Sequence, residues 1–220
     1  MGESKNGTFW LVFVFAAWVL PTIVAWTCAP TLELRFSLLV WQQVLFVLGG
    51  LWGARPEKLE LPGFSTLLRG LCYGLGLFLI NTIVGALNFQ IVSHVIGVEL
   101  AKKLILQERV GVDAFLQSGN SLLVTGAVLL LIIGAPLGEE LFFRGFLLMS
   151  WKSALGVRKA VFLTALLFAV LHFYLVQFIP VLIAGIFLGL VFIRTENIAI
   201  PIIAHAFVNS MVLVFRLVGL

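Results

Sequence analysis

The chain has 220 residues, is 61% hydrophobic and only 11% charged, and carries a net charge of +4. A soluble domain is typically about 25% charged, so this composition excludes an ordinary water-soluble domain and indicates a polytopic membrane protein. Long apolar runs exclude a barrel, whose strands would alternate over about 10 residues, and no basic run suggests a nucleic-acid partner.

The N-terminus, Met1 to Gly7, precedes an apolar stretch long enough to span, with no small-x-small site to end a signal peptide. Asn6 stands where a myristoylation start needs Ser or Thr. Apolar runs predict membrane helices at 9–27, 36–53, 70–89, 121–137, 160–174, 178–193 and 198–217. Two polar connectors lie at 54–68 and 99–119; the second reads either as an amphipathic interfacial helix or as a solvated linker. Residues 120–151 as one helix would be about 48 Å long, more than the hydrocarbon core of about 30 Å. Pro136 and Gly138 are therefore expected to break or kink it, with a new helical segment beginning at the polar motif that follows. The expected fold is all-α, a bundle of about 7–8 transmembrane helices with its polar motifs in the membrane core. Residues 1–119 form the N-terminal part and 120–220 the part that carries those motifs.

Cys28 and Cys72 are isolated, which argues against a disulfide framework or a zinc ribbon. In a seven-span chain, Lys5, Arg55, Lys58, Arg69, Lys152, Arg158, Lys159 and Arg194 fall on the N-terminal side. Arg35, Lys102, Lys103, Arg109 and Arg216 fall on the other. Eight against five favours a cytoplasmic N-terminus.

Three polar constellations interrupt apolar sequence: Glu139-Glu140-x-x-x-Arg144, Phe168-x-x-x-His172 and His205-x-x-x-Asn209. An ionisable residue near the bilayer centre costs about 2.5–3.5 kcal/mol on insertion scales, so each is a functional suspect. Residues four apart share a helix face. Glu140 and Arg144 can thus pair, as a bidentate brace, with the acid in the favourable N-terminal position. Glu139 turns elsewhere, His205 and Asn209 can address one substrate atom, and Phe168 can fix the ring of His172. Each feature alone has an ordinary explanation, since membrane histidines often only hydrogen-bond a neighbouring helix. The ordered trio favours one shared site. His94 lacks a patterned partner, and Asn81 and Asn88 read first as inter-helix hydrogen-bonders.

The trio resembles the CPBP family (CAAX proteases and bacteriocin-processing proteins, also called Abi), glutamate-dependent intramembrane endopeptidases, over roughly residues 122–213. The resemblance implies that Glu139 is the base activating water, that His172 orients that water, and that His205 and Asn209 bind the oxyanion. Glu140 and Arg144 would hold the helix geometry, or Arg144 would bind a substrate's terminal carboxylate. It implies a peptide or protein substrate in or near the lipid bilayer and no obligatory cofactor. The alternative is a zinc ion on Glu139, His172 and His205, a His₂Glu set. A prokaryotic cell membrane is the expected location. Two readings from other classes use the same residues: a non-catalytic immunity or scaffold protein, and a small proton-coupled transporter.

Overall fold

A computed structural model describes residues 9, 12–19, 23, 27–28, 31–53 and 62–218. All regular structure among them is helical: α1 (Leu32–Gly53), α2 (Phe64–Ile96), α3 (Val98–Leu116), α4 (Ser121–Leu155), α5 (Val157–Leu171), α6 (Phe178–Thr195) and α7 (Ala199–Leu217). Five of these, α1, α2, α4, α6 and α7, are long and apolar enough to cross a membrane. Residues 12–19 are also helical, with Val14 and Trp18 buried; residues 10–11, 20–22 and 24–26 of the expected 9–27 span lie outside the described residues. The 99–119 connector is largely the helix α3.

Two expectations need correction. The helix carrying the glutamates is not broken: α4 runs 35 residues without interruption. It absorbs Pro136 by widening into a π-type turn at Leu130–Gly134, and it widens again at Leu141–Leu148. Gly138 does not end the helix either; it is the place where α4 meets Gln43 and Phe46 of α1. The fifth span also stops early, at Leu171, because Phe173 takes a left-handed φ of 54° and turns the chain out of the helix. Apolar Phe173 and Tyr174 gave hydropathy no sign of that stop.

Helices approach closely where one lacks a side chain, the usual device in bilayers where apolar burial gives little drive between helices. A Cβ on Gly50 of α1 would lie 2.6 Å from the Leu141 carbonyl carbon of α4. A Cβ on Gly185 of α6 would lie 3.0 Å from that of Ala165 in α5, and Gly70 and Gly74 of α2 receive Ile203 and Phe207 of α7. An aromatic core fills the space between α1, α4 and α5. Phe46 stacks on Phe142 at 4.8 Å between ring centroids, Phe143 meets Phe142 edge-on at 5.2 Å, and Phe168 meets Phe143 at 5.2 Å. At one end of the bundle Asp113 of α3 pairs with Arg216 of α7 at 3.4 Å.

Gly185→Leu must force α5 and α6 apart, a strain of about 1–3 kcal/mol. Gly85→Ala, where an added Cβ meets nothing within 4 Å, should instead leave stability level or raise it by about 0.5–1 kcal/mol. Unfolding in mixed micelles checks the pair; equal effects of the two would contradict this packing.

Candidate active site

Glu140 is fully buried and Arg144 is 2% exposed. Arg144 Nη1 donates to Glu140 Oε1 at 3.0 Å, and Nη2 donates to the Gly185 carbonyl at 3.2 Å. Its guanidinium lies over the Phe168 ring, 4.7 Å from the centroid. Arg144 thus ties α4 to α6 and α5, and every contact uses a feature guanidinium has and ammonium lacks: several donors in a plane and a flat face. The pair is not bidentate, contrary to expectation, because one carboxylate oxygen takes a second partner. His205 Nδ1 lies 2.9 Å from the same Oε1, while Oε2 has no partner among the described residues. Arg144 is 2% exposed, so a substrate carboxylate could reach it only by displacing these contacts.

A carboxylate only accepts, so the bond to Glu140 fixes the proton on Nδ1 of His205 and turns Nε2 the other way. Nε2 then faces Glu139, whose Oε2 is 4.0 Å away. That gap exceeds direct hydrogen-bond length. A water about 2.8 Å from each atom would see them at an angle of about 90°, an ordinary hydrogen-bonding geometry. The side chains of Glu139 and His205 are 13% and 11% exposed, so the point between them is nearly closed but reachable.

Asn209 lies one turn beyond His205 on α7 and meets the first π-type segment. Ala135 N–H donates to Leu130 O, five residues back. In that register the donor for Leu131 O would be Pro136, which has no N–H. The Asn209 amide fills the gap, donating from Nδ2 to Leu131 O at 2.9 Å. One N–H of the amide is thereby committed and the other is left for a further acceptor.

His172 caps the C-terminus of α5. Its Nδ1 lies 2.7 Å from Phe168 O and its ring 4.5 Å from the Phe168 ring, which in turn lies 6.1 Å from that of His205. Phe168 is therefore the wall shared by both histidines and by Arg144. The next residue, Phe173, is left-handed, a conformation that costs a non-glycine residue of order 1–3 kcal/mol and survives only when its surroundings enforce it.

Those surroundings include residues that sequence reasoning did not assign to the site. Glu108 of α3 accepts backbone N–H bonds from Leu175 (2.6 Å), Val176 (2.6 Å) and Gln177 (3.3 Å). Asn88 of α2 donates to Val176 O at 2.6 Å, so its partner is a loop and not another helix, whereas Asn81 Oδ1 is buried with no partner among the described residues. Tyr174, in the same loop outside the spans, lies 5.7 Å from the His172 ring. Burial pushes its hydroxyl above the usual phenol range, against the pull of Arg216, so it stays neutral. The only sequence signals were a carboxylate in the polar connector and a pair of membrane asparagines. His94 lies exposed in the last turn of α2, away from these contacts.

The alternative zinc set fits poorly. No three His, Cys, Asp or Glu side chains among the described residues are grouped to hold a metal ion. Nδ1 of each site histidine is taken, by Phe168 O and by Glu140, which leaves each Nε2 for another partner.

Residues 121–211 match the family described as "Type II CAAX prenyl endopeptidase Rce1-like". The matched segment holds all three polar constellations and leaves α1–α3 outside. No curated protein and no solved structure matches the chain.

Removing one partner of a buried ion pair typically costs about 3–5 kcal/mol, because the other charge stays buried. Arg144→Met should therefore destabilise the protein by about that amount, and adding Glu140→Gln should restore part of it. Denaturant unfolding in micelles measures both. A Met variant as stable as wild type would show that the pair carries no structural charge.

Proposed function

Taking residues 121–211 as a CAAX-endopeptidase-type domain in an integral membrane protein, we propose that the chain hydrolyses a peptide bond in a membrane-associated or C-terminal-tail substrate. The observation that carries this reading is the facing pair of Glu139 Oε2 and His205 Nε2 at 4.0 Å, backed by Glu140 and Arg144.

The chemistry runs on groups of the chain alone. Glu139, as carboxylate, takes a proton from water as the water oxygen attacks the scissile carbonyl carbon. His172, held by Phe168 O, helps orient that water through its free Nε2. The carbonyl oxygen becomes an oxyanion, which accepts from His205 Nε2–H and from the uncommitted N–H of Asn209. His205 donates there with Nδ1 still bonded to Glu140, so its ring acts as an imidazolium. Two carboxylates, Arg144 and that imidazolium then sum to zero charge, which suits a site closed to water. The tetrahedral intermediate collapses as the C–N bond breaks and Glu139 returns its proton to the leaving amine. Water and peptide give acid and amine, with the base restored.

The family match supports an endopeptidase of CAAX type, and the polar groups lie among apolar helices, which favours a substrate already held at a bilayer. A prenylated tail, a peptide precursor or a sorting tail in a prokaryotic membrane all meet that description. By the charge count of the loops, the N-terminus lies on the cytoplasmic side.

A positioned general base contributes about 100- to 10,000-fold, so Glu139→Ala should lower kcat on a membrane-anchored peptide by a factor in that range, with the protein still folded. His205→Ala should fall by at least about 100-fold through loss of an oxyanion donor. Cleavage by Glu139→Ala at the wild-type rate would sink the proposal. Dialysis against a strong chelator is expected to leave the rate unchanged; a loss restored by zinc would move the chemistry to a metal.

A further inference from the structure

We propose that Glu108 is a positioning residue for His172, acting through the loop that joins α5 to α6. This role rests on the endopeptidase reading only in what His172 is positioned for; the clamp itself stands on geometry.

The loop, residues 172–177, begins at the site histidine and ends at the N-terminus of α6. A helix N-terminus leaves amide donors without intrahelical partners, and they are normally met by a nearby Ser, Thr, Asp or Asn. This chain offers none: the residue at that position is Gln177, whose side chain makes no capping bond. Glu108, on a helix more than sixty residues earlier, accepts from three consecutive amides that lead into the helix: Leu175, Val176 and the N-cap residue Gln177. The carboxylate also faces the positive end of the α6 dipole. Asn88 grips the same loop by the Val176 carbonyl. The loop is thus pinned by both its donors and its acceptor, from α3 and α2.

What the clamp holds in place lies next to His172. Phe173 has φ 54° and is 75% exposed, as is Leu175. A bulky residue does not rest in the left-handed region on its own account, and the Phe173 side chain is too exposed to enforce the turn by burial. The turn is held from beyond, by the bonds at 175–177. Released, residue 173 would relax toward negative φ, α5 would extend past His172, and the imidazole would leave the Phe168 carbonyl.

The test uses the full chain in liposomes with a membrane-anchored reporter peptide. Glu108→Ala should lower kcat roughly 10- to 100-fold, the cost of a misplaced catalytic group, with KM within about twofold. A glycine accepts positive φ freely, so adding Phe173→Gly should return most of the lost kcat. Glu108→Gln, which accepts through one oxygen only, should fall between wild type and Ala. Hydrogen exchange of the 175–177 amides and carbethoxylation of His172 by diethyl pyrocarbonate should both accelerate in Glu108→Ala. The proposal is overturned if kcat stays at the wild-type value while those amides are released. It is equally overturned if kcat falls without recovery in the Phe173→Gly background, since Glu108 would then serve general stability. If wild type cleaves no reporter, the endopeptidase reading fails, and His172 reactivity still decides the clamp: an unchanged rate in Glu108→Ala refutes it.

Discussion

One oxygen of one carboxylate organises this bundle. Glu140 Oε1 accepts from Arg144 at 3.0 Å and from His205 at 2.9 Å, and Glu140 has no exposure. A lone carboxylate buried in apolar surroundings would cost many kcal/mol or lose its charge, so these two partners are a condition of the fold. Through them α4 is bound to α7 directly and to α6 by the Gly185 carbonyl, while the Arg144 guanidinium lies over Phe168 of α5. Four helices meet at a single buried ion cluster. Its geometry leaves His205 one free nitrogen, directed at Glu139.

The second constraint is the register of α4. A proline inside an apolar helix normally costs a hydrogen bond and a kink. Here the helix widens before Pro136, and the carbonyl the proline cannot serve, that of Leu131, is served by Asn209 from another helix. The residue proposed for the oxyanion thereby also repairs the backbone that carries the glutamates. Structure and chemistry share the side chain, which places Asn209 against the π-type turn just upstream of Glu139.

The helical class and the contacts within two of the three constellations were legible in the sequence because both are local. Apolar runs give spans, and spacing of four gives a shared face. The Glu140–Arg144 pairing and the packing of Phe168 on His172 followed from that spacing. What was not legible depends on contacts between distant segments. A second acceptor role for Glu140, the partner of Asn209 and the reach of Glu108 to the 175–177 amides each join residues 65 or more apart. Hydropathy also could not see that α5 stops at Leu171, since Phe173 and Tyr174 are as apolar as a helix interior and the stop lies in a backbone angle. Pro136 misled for a related reason: its penalty is local, its remedy is not.

The central claim is that Glu139 acts through a water between itself and His205, with Glu140 as support and not as a second worker. A single turnover of purified protein in oxygen-18 water, read by mass spectrometry of both product and enzyme, tests it most directly. The account predicts one solvent oxygen in the new carboxyl terminus of the product and none in the carboxylate of Glu139. Label appearing in Glu139 would mean that its oxygen attacks the substrate as a nucleophile, and would contradict the account.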